Sequence, residues 1–250
     1  MLSSSNARLA AARRLTRRAA RRETGRFLAE GAQAVREALV ADAVLELFAT
    51  AEAMSRHPSL VEGASEISAK DAAALSETVT PQGLVAVCAL TQPSLALVLA
   101  GGPRLLVGLS SPSDPGNLGT IIRTADAAGA DAVVVDGGVD PYNGKAVRAS
   151  AGSLFHLPVV SGPLASLSGA VQVLATTGGG ARSLDDLLDD GTLARSTAWL
   201  FGSEAHGLPP SVLAAADATV RIPIHGRAES LNVAMAAAVC LYASARAQRR

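Results

Sequence analysis

From Arg104 onward one pattern repeats: a short apolar run, then a stretch with helical spacing. "RLLVGLS" leads into "LGTIIRTADAAG", and "DAVVVDG" into "AVRASAG". "VQVLATT" follows as a third run, "AWLFGSE" leads into "PPSVLAAA", and "TVRIPI" into the long "SLNVAMAAAVCLYASARAQRR". Runs of this length read as strands, and strands alternating with helices imply an α/β fold with a mainly parallel sheet. Ligands of such sheets bind beyond the carboxyl ends of the strands, so chemistry is sought there.

The first part of the chain alternates too, less regularly. Residues 6–24 predict a helix capped by Asn6, "GRFLAEG" a strand and turn, and "AQAVREALV" a helix with Ala34, Val35, Ala38 and Leu39 on one face. "AVLELFAT" and "GLVAVCAL" read as strands, with a helix over "SAKDAAALS" that Ser68 can cap. The chain of 250 residues thus divides into a small α/β domain over 1–92, a linker over 93–103 ("TQPSLALVLAGGP" carries Pro93, Gly101, Gly102 and Pro103), and a larger domain over 104–250.

Charge is unevenly spread. The formal net charge is zero, but Met1 to Val40 holds nine arginines against three glutamates, so this end is +6 and the rest −6. A basic end on a neutral chain suggests a polyanion, most commonly nucleic acid. A solvated basic helix is the plain alternative, and an organellar transit peptide a third reading. No run of eighteen apolar residues exists and no signal peptide is visible, so a cytoplasmic protein with neither a membrane nor a metal among its partners is expected. Cys88 and Cys240 read as buried reduced thiols.

Three strand ends carry unusual residues. In "SPSDPGNLGTIIRTADAAGA", Asp114-Pro115-Gly116 makes a turn and Asn117 occupies a helix N-cap position. Leu118, Ile121, Ile122 and Ala125 form the buried stripe and Gly129 ends the helix; Arg123 lies about 140° from Leu118, off the packed face. In "LFGSEAHGLPP" a buried strand stops at Gly202, which allows close approach of a ligand, and Glu204 stands at its end. His206 has no partner acid or nucleophile at recognisable spacing and reads as part of the loop. In "RIPIHGRAESLNVAMAAAV", Ser230 suits an N-cap and Glu229 the positive helix end. Leu231, Ala234, Met235, Ala238, Leu241 and Tyr242 form the expected buried stripe, and Asn232 falls off it.

In this order, "DPGNLGTIIRTADAAGA", "LFGSEAHGL" and "IPIHGRAESLNVAMAAAV" resemble the three motifs of the SpoU (TrmH-like) 2′-O-ribose methyltransferases of the SPOUT superfamily. The amino-terminal "NARLAAARRLTRRAARRETGRFLAEGAQAVREAL" and "TPQGLVAV" resemble the small, L30e-like substrate-binding domain of rRNA-modifying members. The resemblance implies a SPOUT-type α/β domain with a deep carboxyl-terminal trefoil knot, which periodicity does not predict. It implies S-adenosyl-L-methionine as cofactor, lined by Thr176, Thr177, Gly178, Gly202, Ile222 and Leu231. No glycine-rich dinucleotide fingerprint follows the first strand, which fits. It also implies a homodimer whose active sites draw on both subunits, and Asn117, Arg123, Glu204, Ser230 and Asn232 as the polar catalytic set. The chain has "LSSPS" where many members carry Asp-Gly before the first motif.

The basic end then becomes an RNA-binding surface, with Arg13, Arg14, Arg17, Arg18, Arg21 and Arg22 contacting phosphates. Aromatic residues make up 3% of the chain, too few for a base-stacking platform, so shape and a flipped-out nucleotide are the expected recognition modes. With the extra domain, 23S rRNA is the first choice of target and tRNA the second. A nucleotide-dependent dehydrogenase is a distant third. An RNA-binding protein without catalysis is the alternative of a different class, and the intact polar set speaks against it.

Overall fold

A computed structural model describes residues 1–203 and 205–249. In chain order the first elements are α1 (Ala7–Arg14), α2 (Arg18–Thr24), β1 (Arg26–Glu30), α3 (Ala32–Val40), β2 (Val44–Ala49), α4 (Ala51–Arg56), β3 (Ser65–Glu66), α5 (Ala69–Ala74) and β4 (Leu84–Ala89). There follow α6 (Leu95–Ala100), β5 (Leu105–Ser110), α7 (Pro115–Ala128), β6 (Ala132–Asp136), α8 (Gly144–Ala149), β7 (Val159–Ser161), β8 (Gln172–Thr176) and β9 (Arg182–Ser183). Last come α9 (Leu184–Asp189), β10 (Thr197–Phe201), α10 (Pro210–Ala214), β11 (Ala218–Arg221) and α11 (Val233–Gln248). The chain forms two units, one of Met1–Thr91 with Asp140–His156, the other of Gln92–Val139 with Leu157–Arg250.

The second unit is built on seven strands, all parallel, in the order β7-β6-β5-β10-β8-β11-β9. Every residue of β5 is buried. One face, carrying Leu106, Val134, Val173, Ala198 and Leu200, packs against Leu95, Val98 and Leu99 of α6 and Val212 of α10. The alternate residues face α7 and α11, where the Trp199 indole N–H donates to Ser244 Oγ at 2.8 Å. Strand order reverses between β5 and β10, the switch point at which open α/β sheets bind their ligands.

The first unit holds a four-stranded sheet, β1-β4-β2-β3, in which only β2 and β3 run parallel. Leu9, Ala12 and Leu15 cover one face with Leu28, Phe48 and Val85 beneath them. The other face takes Val35 and Ala38 of α3 together with Tyr142 and Val147. Sequence order places residues 140–156 with the larger domain; they belong instead to the first unit. Tyr142 sits with its ring centroid 4.9 Å from Phe27, Asp140 pairs with Arg21 at 2.7 Å, and Arg148 Nη1 reaches Glu30 Oε2 at 3.3 Å.

Several local expectations are corrected. The helix expected over 6–24 breaks at Leu15–Arg17 into α1 and α2, because the buried Arg21 guanidinium donates to the Leu15 carbonyl at 2.8 Å. The linker contains α6: Ser94 Oγ accepts from Leu97 N at 3.2 Å, and an apolar turn then packs on the sheet. β7 and β9, of three and two residues, are too short to show a period. Asp114, not Asn117, caps α7, accepting from Asn117 N at 2.7 Å, with Pro115 in the first turn. Asn232, not Ser230, caps α11, accepting from Ala234 N at 2.9 Å. The buried side of α11 is Ala234, Ala237, Cys240, Leu241, Ser244 and Ala245; Leu231, Met235 and Tyr242, expected inside, are exposed. Small residues let α11 lie close to α7 and β10, which turns the larger ones outward.

Both cysteines are buried and unpaired, and burial pushes the Cys88 thiol up to about 12. Among the described residues no helix is long and apolar enough to cross a membrane.

Candidate functional site

Three chain corners meet at the carboxyl edge of the large sheet. The first leaves β5 at Ser110 and turns through Ser111, whose φ of 46° is left-handed. Ser111 N donates to the Asp136 carbonyl at 2.8 Å, which ties this turn to the end of β6. Asp114 then starts α7 and leaves Asn117 in its first turn. The second corner follows β10. A Cβ on Gly202 would stand 2.0 Å from the Gly207 carbonyl carbon, so only glycine fits there. Gly207 N donates to Ser203 O at 2.9 Å, closing the loop onto itself. The third corner is residues 222–232, which run from β11 to α11.

The first and third corners are joined directly: Asn232 Nδ2 donates to Asn117 Oδ1 at 3.1 Å. The Asn232 carbonyl oxygen of the side chain is already used as the α11 cap, so a single side chain fixes both its helix and its partner. Asn117 and Gly202 also line a small hollow together with Val233.

Beside this junction opens a cleft of about 740 Å³. Thr176, Thr177 and Gly178 line it from the end of β8, Gly202 and His206 from beyond β10, and Ile222, Ser230, Leu231 and Asn232 from the third corner. Thr176 Oγ1 donates to the Leu200 carbonyl at 2.8 Å and Thr177 N to the Val220 carbonyl at 2.9 Å, so the walls are held to each other. Phe201, Leu208, Leu213 and Val220 supply apolar lining, and Glu229 stands among the polar residues. Volume, apolar walls and a few convergent polar groups suit one organic ligand of nucleoside size.

All six residues expected to line a cofactor therefore share one cleft, with Ser230 and Asn232. Asn117 adjoins it through Asn232. Arg123 does not line it: the residue is exposed on α7, and among the described residues no ion pair holds it. Glu204 lies outside the described residues. Of the six arginines expected to meet RNA, Arg14, Arg17, Arg18 and Arg22 are exposed, Arg14 in a surface pair with Glu23 at 3.0 Å. Arg21, in contrast, is 4% exposed and held by Asp140 in a buried ion pair. Arg13 is half-buried and bound to Asp71. Hydrogen bonds from Ser68 and Ser4 and the Arg13 charge hold the Asp71 carboxyl below the usual range. In the sequence Asp114 reads as part of a turn and not as the cap it forms, although an acid before Pro at a helix start is a readable signal, and nothing local marks Arg221.

Residues 104–242 match the SpoU rRNA Methylase family, and residues 6–86 the MRM3-like substrate binding domain. The chain is 37% identical over 232 residues, 89% of each chain, to the 23S rRNA (guanosine(2553)-2′-O)-methyltransferase RlmP of Bacillus subtilis. It is 35% identical over 175 residues, 66% of this chain and 61% of the other, to a 23S rRNA (uridine(2479)-2′-O)-methyltransferase of Streptomyces viridochromogenes. Among solved structures it superposes on the SpoU methyltransferase AviRb of Streptomyces viridochromogenes in complex with AdoMet, with a TM-score of 0.83 at 30% identity over 98% of both chains.

Proposed function

The chain belongs to the SpoU rRNA methylase family and is an S-adenosylmethionine-dependent RNA methyltransferase; on that premise we propose that it methylates a ribose 2′-hydroxyl of 23S rRNA. The observation that carries this reading is the meeting of three distant segments, 176–178, 201–208 and 222–232, at one cleft, with Asn117 joined to its rim through the Asn117–Asn232 hydrogen bond.

The cleft residues Thr176, Thr177, Gly178, Gly202, Ile222 and Leu231 would hold the cofactor, which when bound would supply an electrophilic methyl on a sulfonium. The protein's task is therefore the nucleophile, a hydroxyl that keeps its proton at neutral pH. Asn117 and Asn232 present paired amide dipoles at the rim, fixed by the α11 cap, and with Ser230 they orient the ribose. Arg123 stays protonated; it holds the target phosphate and stabilises charge developing on the oxygen. Glu204 orients Arg123 and the ribose. Losing one such contact typically raises the barrier by about 3–4 kcal/mol.

Arg123 lies outside the cleft of its own chain, which supports a homodimer in which it serves the partner's site. Met235, Val239 and Tyr242 support the same assembly: they stand 50%, 43% and 54% exposed at helical spacing along α11. The trefoil knot is supported by the path of the chain. After β11, near one edge of the sheet, residues 222–232 carry it back across the ends of β8 and β10 to α11, which packs on α7. Arg14, Arg17, Arg18 and Arg22 give the first unit an exposed basic surface for RNA phosphates, and the enzyme works in the cytoplasm.

The test compares 2′-O-methyl maps of rRNA and tRNA from a strain lacking the gene with those from its parent. One ribose methyl missing from 23S rRNA is the expected result. A missing tRNA methyl moves the target, and unchanged maps leave an RNA-binding protein without catalysis.

A further inference from the structure

The loop after β8 reads "TTGGGAR" and carries three consecutive glycines, Gly178 to Gly180. Free, such a segment samples many backbone conformations, and ordering it around a ligand costs more entropy than for any other composition. Here it is fastened to β11 at four points. Thr177 N donates to the Val220 carbonyl at 2.9 Å and Ala181 N to Thr219 Oγ1 at 3.1 Å. Arg221 Nη1 donates to the Gly180 carbonyl at 3.0 Å and to the Ala181 carbonyl at 3.4 Å. The two backbones lie so close that a Cβ on Gly180 would stand 2.3 Å from the Val220 carbonyl carbon and 2.4 Å from Arg221 N. Gly178 and Gly179, by contrast, face open space.

Thr177 and Gly178 line the cleft on one side of this fastening, and Val220 and Ile222 on the other. We infer that Arg221 is a positioning residue for the cofactor: its guanidinium, with Thr219 and the close approach at Gly180, sets the glycine loop in its binding conformation before the ligand arrives. The inference rests on S-adenosylmethionine occupying this cleft. Arg221 does not itself line the cleft; it acts through the Gly180 and Ala181 carbonyls. A guanidinium suits the task, because the two N–H groups of one Nη1 reach adjacent carbonyls in a fixed plane and its charge strengthens both bonds. Hydrogen bonds from Ser183 chiefly hold the Asp186 carboxyl below its usual range, and the charges of Arg182 and then Arg221 add to this, so an acid stands near the guanidinium. Preorganisation of this kind appears in affinity, since the free protein has already lost the loop entropy.

The experiment is calorimetric titration of the full-length protein with S-adenosylmethionine, alongside thermal unfolding without ligand. R221A is expected to weaken binding about 10-fold and R221K, which keeps charge but neither the planar group nor its reach, by about 3-fold. T219V removes the acceptor for Ala181 N without changing side-chain volume, and is expected to weaken binding in the same direction even if R221A does not fold. R182A is the control: Arg182 sits on neighbouring β9 and pairs with Asp190, and its loss leaves affinity within about twofold. A merely structural arginine would lower the unfolding midpoint and leave the dissociation constant unchanged, and that outcome overturns the inference. So does equal weakening by R182A. Absence of binding by the unaltered protein would instead remove the cofactor reading itself.

Discussion

Asn117 and Asn232 stand 115 residues apart and each reads, in sequence, as a polar residue near a helix start. Nothing local distinguishes a cap from a catalytic group, which is why the sequence points to caps at Asn117 and Ser230, three and two positions away from Asp114 and Asn232, the residues that perform the role. What the sequence does carry is residue type: an amide can accept for its helix with one atom and donate to a partner with the other. N232D separates the two roles. The carboxylate still caps Ala234 N, and the positive helix end favours it, but it has no hydrogen to give Asn117. The unfolding midpoint is expected to stay within a few degrees while methyl transfer to rRNA falls by about 100-fold, the size typical of one lost transition-state contact. A full turnover rate in N232D would show that the Asn117–Asn232 bond serves the fold alone.

At the scale of elements, the long apolar runs were readable because a strand buried on both faces has no polar face to confuse the period: β5, β6, β8 and β10 lie where the pattern puts them. Two kinds of element escaped. β7 and β9 have too few residues to show alternation, and they exist because longer neighbours offer them an edge. α6 hid inside a segment flanked by Pro and Gly, where Ser94 still caps a turn of leucines. The buried face of α11 departs from its apolar pattern for a different reason: hydrophobic size does not decide burial when close packing against α7 requires Ala, Ser and Cys. That leaves Met235 and Tyr242 outside, and they are the test of the dimer. M235E/Y242E is expected to run as a monomer in light-scattering chromatography, with a native far-ultraviolet spectrum, and to lose methyl transfer by at least about 100-fold because Arg123 no longer reaches a partner's cleft. A dimeric double variant would move the interface off this face of α11, and an active monomer would show that catalysis needs no partner's Arg123.

For the whole molecule, sequence order misleads over Asp140–His156, which follows a strand of the second unit and completes the first. The buried Arg21–Asp140 pair explains this, and it also explains why counting arginines overstates the RNA surface. One partner of a buried pair cannot be spent on phosphate without leaving the other uncompensated. The reading of function survives these corrections because it depends on the carboxyl edge of one sheet, where Thr176–Gly178, Gly202 and residues 222–232 border a common cleft. Amide hydrogen exchange with and without S-adenosylmethionine measures that convergence in a single experiment. Slowed exchange should appear together in residues 176–181, 201–208 and 220–234, three segments separate in sequence, and residues 1–91 should be unaffected by the cofactor. Protection confined to one of the three segments, or found in the amino-terminal unit instead, would contradict the account.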